Sequence, residues 1–536
     1  MKVVLISLIE DVTVPSLRYL SAYLRSKGID TVSILLPWQF TDMTLNESNA
    51  HLYPYSESVL NKVSEICSNA DLVGISAMSN HFDNAIHITG FLRKHLPHIP
   101  IIWGGIHPTI RPVECLEYAD MVCIGEGEIS LYELADEMSK GNSWESISIP
   151  GIYKRQDKGP FLAGTIVNNI DELPLPLYDI KNLFILYRGE VLRLDSTLLE
   201  KCLTYYRTLF SRGCPYACTY CCNNAIRRLH SGKYKVRWRS VNNMINELKE
   251  AINLMPHLKK IVLADDSFLT QPTELIENFA EQYREKIGLP FEILSIPRSV
   301  SDYKLKLLFE AGLCSIGIGI QSGSPRISKD LYRRPESIED ILLVDECIKR
   351  VVKETKKKVS VRYDFILDNP WEDEQDILDS IHLSMKLRKA SYSGWRCNLI
   401  LFSLKFYPGT DLYEKARSEG IICDDLNQIY RASQLVKSSK YLNEVFGLLA
   451  AGSPDWLINL SLRKQIEGLN LTVVLRIFEL MLLAPKASKY FLDFMKKGEK
   501  QQLYSLLSRI LSKLSSVSPI KSKRPKFCGG PGEFIL

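Results

Sequence analysis

No stretch of this chain is long and apolar enough to cross a bilayer. The longest run free of Asp, Glu, Lys and Arg covers residues 95–110, and His and Pro interrupt it, whereas a spanning helix needs about 20 consecutive apolar residues. The amino-terminal MKVVLISLIEDV meets two acids after a short apolar run. A secretory leader needs a longer run and a small-residue cleavage site. Both absences lead to an expected cytoplasmic location, where the 13 cysteines are thiols or metal ligands rather than a disulfide framework. Internal repeats and low-complexity tracts are also missing, which excludes a solenoid. Neither sign of charge dominates, because 67 Lys and Arg face 62 Asp and Glu, for a net +5. The surplus sits in the tail, where 11 Lys and Arg against 3 Asp and Glu follow from Lys486 onward. That reads as a solvated helical face, so no nucleic-acid partner is expected.

What remains is ordinary globular composition, 46% hydrophobic and 24% charged over 536 residues, enough for about three to four domains. Residues 1–145 alternate strand and helix patterns. KVVLISLI (2–9), TVSILL (31–36), DLVGISA (71–77), IPIIWGG (99–105) and DMVCIGEGE (120–128) are short apolar runs of the kind that parallel strands buried on both faces require. Pro15 opens a helix with Leu17, Leu20 and Leu24 on one face. The alternation predicts a doubly wound α/β domain whose ligands sit at the carboxyl ends of the strands. Those ends carry Ser76, then Gly104, Gly105, His107, Pro108 and Thr109, then Gly125, Glu126, Gly127 and Glu128. Residues 146–200, with Pro160, Pro174 and Pro176, read as an irregular connector. A second α/β alternation over 201–425 predicts parallel strands in a barrel or partial barrel. Residues 426–536 lose the strand pattern, and Val474, Ile477, Leu480 and Met481 recur at helical spacing. A helical region packed on its own core is expected there.

The chemistry concentrates in one loop, with Cys214, Cys218 and Cys221 spaced C-x3-C-x2-C and Cys222 beside them. Three thiolates this close can each bind a different iron of a cubane [4Fe–4S] cluster, which normally takes four cysteines. Three leave one iron open, the mark of a catalytic rather than a structural centre. Zinc would want a fourth Cys or His. Cys222, adjacent to Cys221, is expected to point elsewhere, which leaves His230 as the candidate.

The motif, preceded by Arg212-Gly213 and with an aromatic before the third cysteine, resembles that of radical S-adenosylmethionine (SAM) enzymes. So do the later segments LADDSF, GIGIQSGSPRI and FYPGTDLYEKA. The resemblance implies a partial (βα) barrel with SAM on the open iron. It places Asp265 or Asp266 near the methionine moiety and Tyr220 against the adenine, with Arg298, Gln321, Ser322 and Ser324 lining the SAM site. This chain has Gln321 where the family often has Glu, and Asp368-Asn369-Pro370-Trp371-Glu372 where it usually has Gly-x-Pro-Gly-Glu. Trp371 and the C-terminal region are expected to shape the substrate site.

Upstream of such a core, the glycine-rich strand ends of residues 1–140 look like the cobalamin-binding domain of the B12-dependent radical SAM subfamily. The usual Asp-x-His-x-x-Gly after the first strand is absent, since that position reads Glu10-Asp11-Val12-Thr13-Val14-Pro15. Cobalamin is therefore expected to bind without a protein histidine on its lower face, with residues 76, 104–109 and 125–128 around the corrin. His87 reads as an ordinary helix residue. The implied activity is C-methylation of an unactivated carbon in a small-molecule or peptide substrate, with a cyclase or ring-rearranging enzyme as the alternative. Turnover would draw on an electron donor such as flavodoxin or ferredoxin. A methylthiotransferase would need a second cluster, and Cys67, Cys115 and Cys123 are not grouped for one. A non-catalytic corrinoid or cluster carrier would have no use for an open iron beside a SAM site.

Overall fold

The structure is a computed structural model that describes residues 1–9, 12–37, 55–230, 234–389, 395–431 and 440–462. The first sheet contains β1 (Lys2–Ser7), β2 (Asp30–Leu35), β3 (Leu72–Ser76), β4 (Ile101–Gly104), β5 (Met121–Cys123), β6 (Ile152–Lys154), β7 (Leu183–Tyr187) and β8 (Glu190–Arg193). Its order is β6-β5-β4-β3-β1-β2-β7-β8. Strands β5 through β7 in that order pair in parallel, and only the edge strands β6 and β8 run antiparallel. The apolar runs read from sequence form the buried centre, where Val3, Val4, Ile6, Leu72 and Ile75 are at most 1% exposed. The chain leaves β1 toward β2 on one side and reaches β3 on the other, so the order reverses at β1, where open α/β sheets bind ligands. In register Ser7 lies beside Ser76, and Ser76 beside Gly104.

The stretch read as an irregular connector instead completes this sheet. β7 pairs with β2, and β8 returns as a hairpin through Arg188 and Gly189, both at positive φ (50° and 84°). The prolines that suggested irregularity fall between β6 and β7 and leave both free to pair.

The second sheet is parallel throughout, with six strands in the order β16-β15-β14-β13-β12-β9. They are β9 (Tyr205–Thr208), β12 (Lys260–Leu263), β13 (Phe291–Ser295), β14 (Leu313–Gln321), β15 (Val359–Leu367) and β16 (Trp395–Ser403). A two-stranded antiparallel ribbon, β10 (Ser211–Arg212) with β11 (Arg237–Trp238), follows β9. In β15 the alternation is complete: Val361, Tyr363, Phe365 and Leu367 bury under helices, while Arg362 pairs with Asp364 on the opposite face. Arg362 has room because Gly317 is its register partner, and a Cβ there would stand 3.1 Å from the guanidinium.

Beyond the barrel the described residues contain the helices Tyr441–Ala450 and Asp455–Ser461. The apolar stripe at Val474 to Met481 lies outside the described residues.

Candidate cofactor sites at the facing strand ends

The cluster loop begins where β9 ends. Asp265, fully buried just beyond β12, accepts hydrogen bonds from the Phe210 N–H (3.2 Å) and the Ser211 hydroxyl. Burial pushes its carboxyl up to about 6. Asp265 therefore anchors the loop's start rather than facing a ligand. Gly213 then turns the chain at φ +94°, a conformation that costs an L-residue with a side chain. Cys214, Cys218 and Cys221 follow as free, partly buried thiols. Burial pushes Cys214 up to about 12, so a bound metal is what would strip its proton.

One expectation about this loop is corrected: Cys222 does not point elsewhere, because its thiol is hydrogen-bonded to that of Cys221. His230, a candidate ligand only under the zinc reading, does not join the cysteines. It stacks on Tyr234 at 5.0 Å, and its ring lies 3.6 Å from where a Cβ of Gly125 would be. Among the described residues no group of three or more His, Cys, Asp or Glu is arranged to hold a single metal ion. The three thiols suit a cubane, in which each cysteine takes its own iron.

Around the barrel mouth, the Tyr220 hydroxyl accepts from Arg334 (2.9 Å) and its ring packs edge-on to Tyr332. Asp266 is hydrogen-bonded to Asn223, and burial raises its carboxyl. Arg298 is exposed on the turn after β13. Gln321 ends β14 at φ +70°, with its amide over Gly319, where a Cβ would stand 2.6 Å from Nε2. Ser322 and Ser324, by contrast, turn toward the helix Glu374–Lys389. Ser324 donates to Asp376 (2.5 Å), and Ser322 lies 3.5 Å from the Ser380 hydroxyl. They hold the loop that presents Gln321.

Asp368 takes φ +59°, which explains the glycine usual at this position. Its carboxylate accepts from Ser403 (2.9 Å) and Asn443 (3.1 Å), and Asp is among the residues that tolerate this conformation. Trp371 packs at the edge of the apolar cluster of Ile327, Tyr332, Leu404 and Leu412, which Tyr220 also borders; its indole donates to Glu419 and its ring meets Phe406 and Lys415.

On the first sheet, the loops after β3, β4 and β5 knit into one surface. The Ala77 N–H donates to Gly104 O, Thr109 donates to Gly105 O (2.7 Å), and the Gly125 N–H donates to Thr109 Oγ1 (3.1 Å). Gly105, at φ +98°, could not be replaced, because a Cβ would sit 2.8 Å from Ala77 O. Ser76 and Gly104 lie partly open beside it. Such a bare backbone cradle lets a large planar ligand approach closely, so the residues present fit a corrin.

Three residues assigned to that surface do something else. The His107 side chain is fully buried, with Nδ1 3.0 Å from the Ser79 hydroxyl and the ring between Phe82 and Tyr430. Burial and then Arg111 push its pKa down to about 3, so it is a neutral core histidine. Glu126 and Glu128 pair with Arg212 of β10, and Glu126 also with Arg237 of β11. Sequence reasoning missed both arginines as site residues. Arg212 was visible only as a neighbour of the first cysteine, and nothing local marks its partners.

The comparisons agree with this geometry. Residues 1–135 match the B12 binding domain and residues 208–381 the radical SAM superfamily. An uncharacterized methyltransferase of Pyrococcus horikoshii is 26% identical over 66% of this chain and 70% of its own length. A cytidylyl-2-hydroxyethylphosphonate methyltransferase of Streptomyces wedmorensis is 24% identical over 50% of this chain and 53% of its own. An anaerobic magnesium-protoporphyrin IX monomethyl ester cyclase of a Synechocystis strain is 29% identical over 34% of each chain. The fold is similar to that of the cobalamin-dependent radical enzyme OxsB with aqua-cobalamin bound. The TM-score is 0.61 with 17% identity, over 96% of this chain and 73% of that one. With a B12 domain, a three-cysteine radical SAM loop and a matching two-domain fold in one polypeptide, the chain belongs to the cobalamin-dependent radical SAM family, with cobalamin, a [4Fe–4S] cluster and SAM as its cofactors.

Proposed function

We propose that this enzyme is a C-methyltransferase acting on an unactivated carbon of a small-molecule or peptide substrate. The observation that carries the reading is convergence. Arg212, two residues before the first cluster cysteine, is ion-paired with the loop that ends β5. The cysteine loop and the corrin cradle thus face each other across a few side chains. Two of the relatives above bear methyltransferase names, and the cyclase among them sustains cyclisation as the second reading.

When bound, the cluster supplies the electron for reductive SAM cleavage and the cobalamin carries the methyl group. The chain's own part is positioning. Cys214, Cys218 and Cys221 hold the cluster, while Gly213 and Asp265 set the loop's path. Tyr220, Asp266, Arg298 and Gln321 would flank SAM, with Ser322 and Ser324 holding the loop of Gln321. Ser76, Gly104, Gly105, Thr109 and Gly125 would cradle the corrin. Fixing the reacting atoms in one closed site is worth several kcal/mol of barrier, up to about 7–11 in well-oriented systems. An external reductant has to feed the cluster.

The test is turnover with SAM labelled in its methyl group. Methylation predicts release of both S-adenosylhomocysteine and 5′-deoxyadenosine, with label in the product. Formation of 5′-deoxyadenosine and product without label would exclude methylation in favour of cyclisation or rearrangement.

A further inference from the structure

We infer that Arg212 is a positioning residue that couples the two cofactor sites, so that filling the cluster loop strengthens cobalamin binding. The inference does not depend on whether a methyl group is transferred. Two separate lines of contact run from the cluster loop to the β5 loop. The first is ionic. Arg212 reaches Glu128 at 2.6 Å and Glu126 at 3.1 Å, and Arg237, its register partner in the ribbon, also binds Glu126. Two cations and two carboxylates balance, and all four side chains are 16% exposed or less. The second line is steric. A Cβ on Gly213 would meet the Tyr234 ring at 2.9 Å, Tyr234 stacks on His230, and His230 lies against Gly125.

Such a quartet transmits position. In a low-dielectric setting a displaced partner leaves a buried charge uncompensated, so Arg212 and the two glutamates move together or not at all. The cluster fixes the path from residue 213 onward, which fixes Arg212. Arg212 then fixes the Glu126-Gly127-Glu128 turn whose neighbour, Gly125, belongs to the cradle. A loop held in its binding-competent form binds more tightly by the fraction of time it was otherwise elsewhere. Linkage requires the reverse effect to be equal.

The experiment measures the dissociation constant of hydroxocobalamin, under anaerobic conditions, for protein with the cluster reconstituted and for protein without iron. The wild type should bind at least about 5-fold more tightly with the cluster present, the low end of ordinary coupling between sites. In Arg212→Met and in Glu128→Gln the ratio should fall toward one. The charge-balanced Arg212→Met/Glu128→Gln double variant serves if either single change prevents folding. The magnetic interaction between reduced cluster and Co(II), read by electron paramagnetic resonance, should change in the same variants. A merely structural ion pair would lower the melting temperature and leave ratio and spectrum as they were. A wild-type ratio near one, or variants that keep the wild-type ratio, would overturn the inference.

Discussion

Replacing Gly213 by Ala tests the cluster loop at its tightest point. Gly213 holds φ +94°, and an added Cβ would stand 2.9 Å from Cε1 of Tyr234. The left-handed conformation alone costs a residue with a Cβ about 1–2 kcal/mol. The contact adds to that, because Tyr234 is pinned between His230 and the Arg237 guanidinium, 4.9 Å from its ring centre. If the loop relieves the strain by leaving its native path, the competent fraction falls about 5- to 30-fold, and cluster affinity falls with it. The assay is iron retained by reconstituted protein against a graded chelator. Gly288→Ala is the control: φ is +68°, nothing lies within 4 Å of the added Cβ, and the residue precedes β13, away from the mouth. It should carry a similar backbone penalty with no loss of iron. A Gly213→Ala protein that keeps its iron at the wild-type chelator concentration would refute the reasoning.

Asp265→Asn should remove a pH dependence from stability. Burial raises the Asp265 carboxyl from 3.8 to about 6, so its contribution is full at low pH and is lost as pH rises through that window. Between roughly pH 5 and pH 7.5 the wild type should lose about 1.4 kcal/mol relative to the Asn variant, as denaturant melts at the two pH values would report. A constant difference would contradict the assignment. Cys222→Ala should keep full iron content after reconstitution while a Cys214/Cys218/Cys221 triple Ala variant keeps none. Iron analysis with SAM cleavage decides it, and loss in Cys222→Ala would make Cys222 a ligand.

The parts legible in sequence are those whose signal is local. Three cysteines within eight residues announce a cluster because the metal demands ligands at short spacing. The central strands are readable because a strand buried on both faces has to be apolar throughout. Strand β8 was lost among polar connector residues, since an antiparallel edge buries only one face, and the five apolar residues of β7 beside it were hidden by the prolines and polar residues that precede them. The ribbon of β10 and β11, two residues each, is too short for any periodicity. Glu126 and Glu128 looked like ligand residues because their partners Arg237 and Arg212 stand 111 and 84 residues away, and such pairing leaves no local trace. His107 sat in a motif at a strand end, and only packing showed its ring turned into the interior.

The two family modules are separate in sequence but not mechanically. One continuous apolar core runs from Val3 and Leu5 of the first sheet and Leu131 of the helix Gly127–Ser139 to Phe210, Ile261 and Phe365 of the barrel. Arg18, from the helix after β1, is buried between Tyr178 and Tyr206 and donates to the backbone carbonyls of Pro176 and Arg207. Tyr19 beside it donates to Leu209 O. Separating the modules would expose that shared interior and strand a buried guanidinium, so a hinge between them is not an available motion. The spacing between corrin and cluster is thus a property of a packed solid rather than of a tether. A chimera exchanging one module with a relative's would have to carry the interface residues along with it.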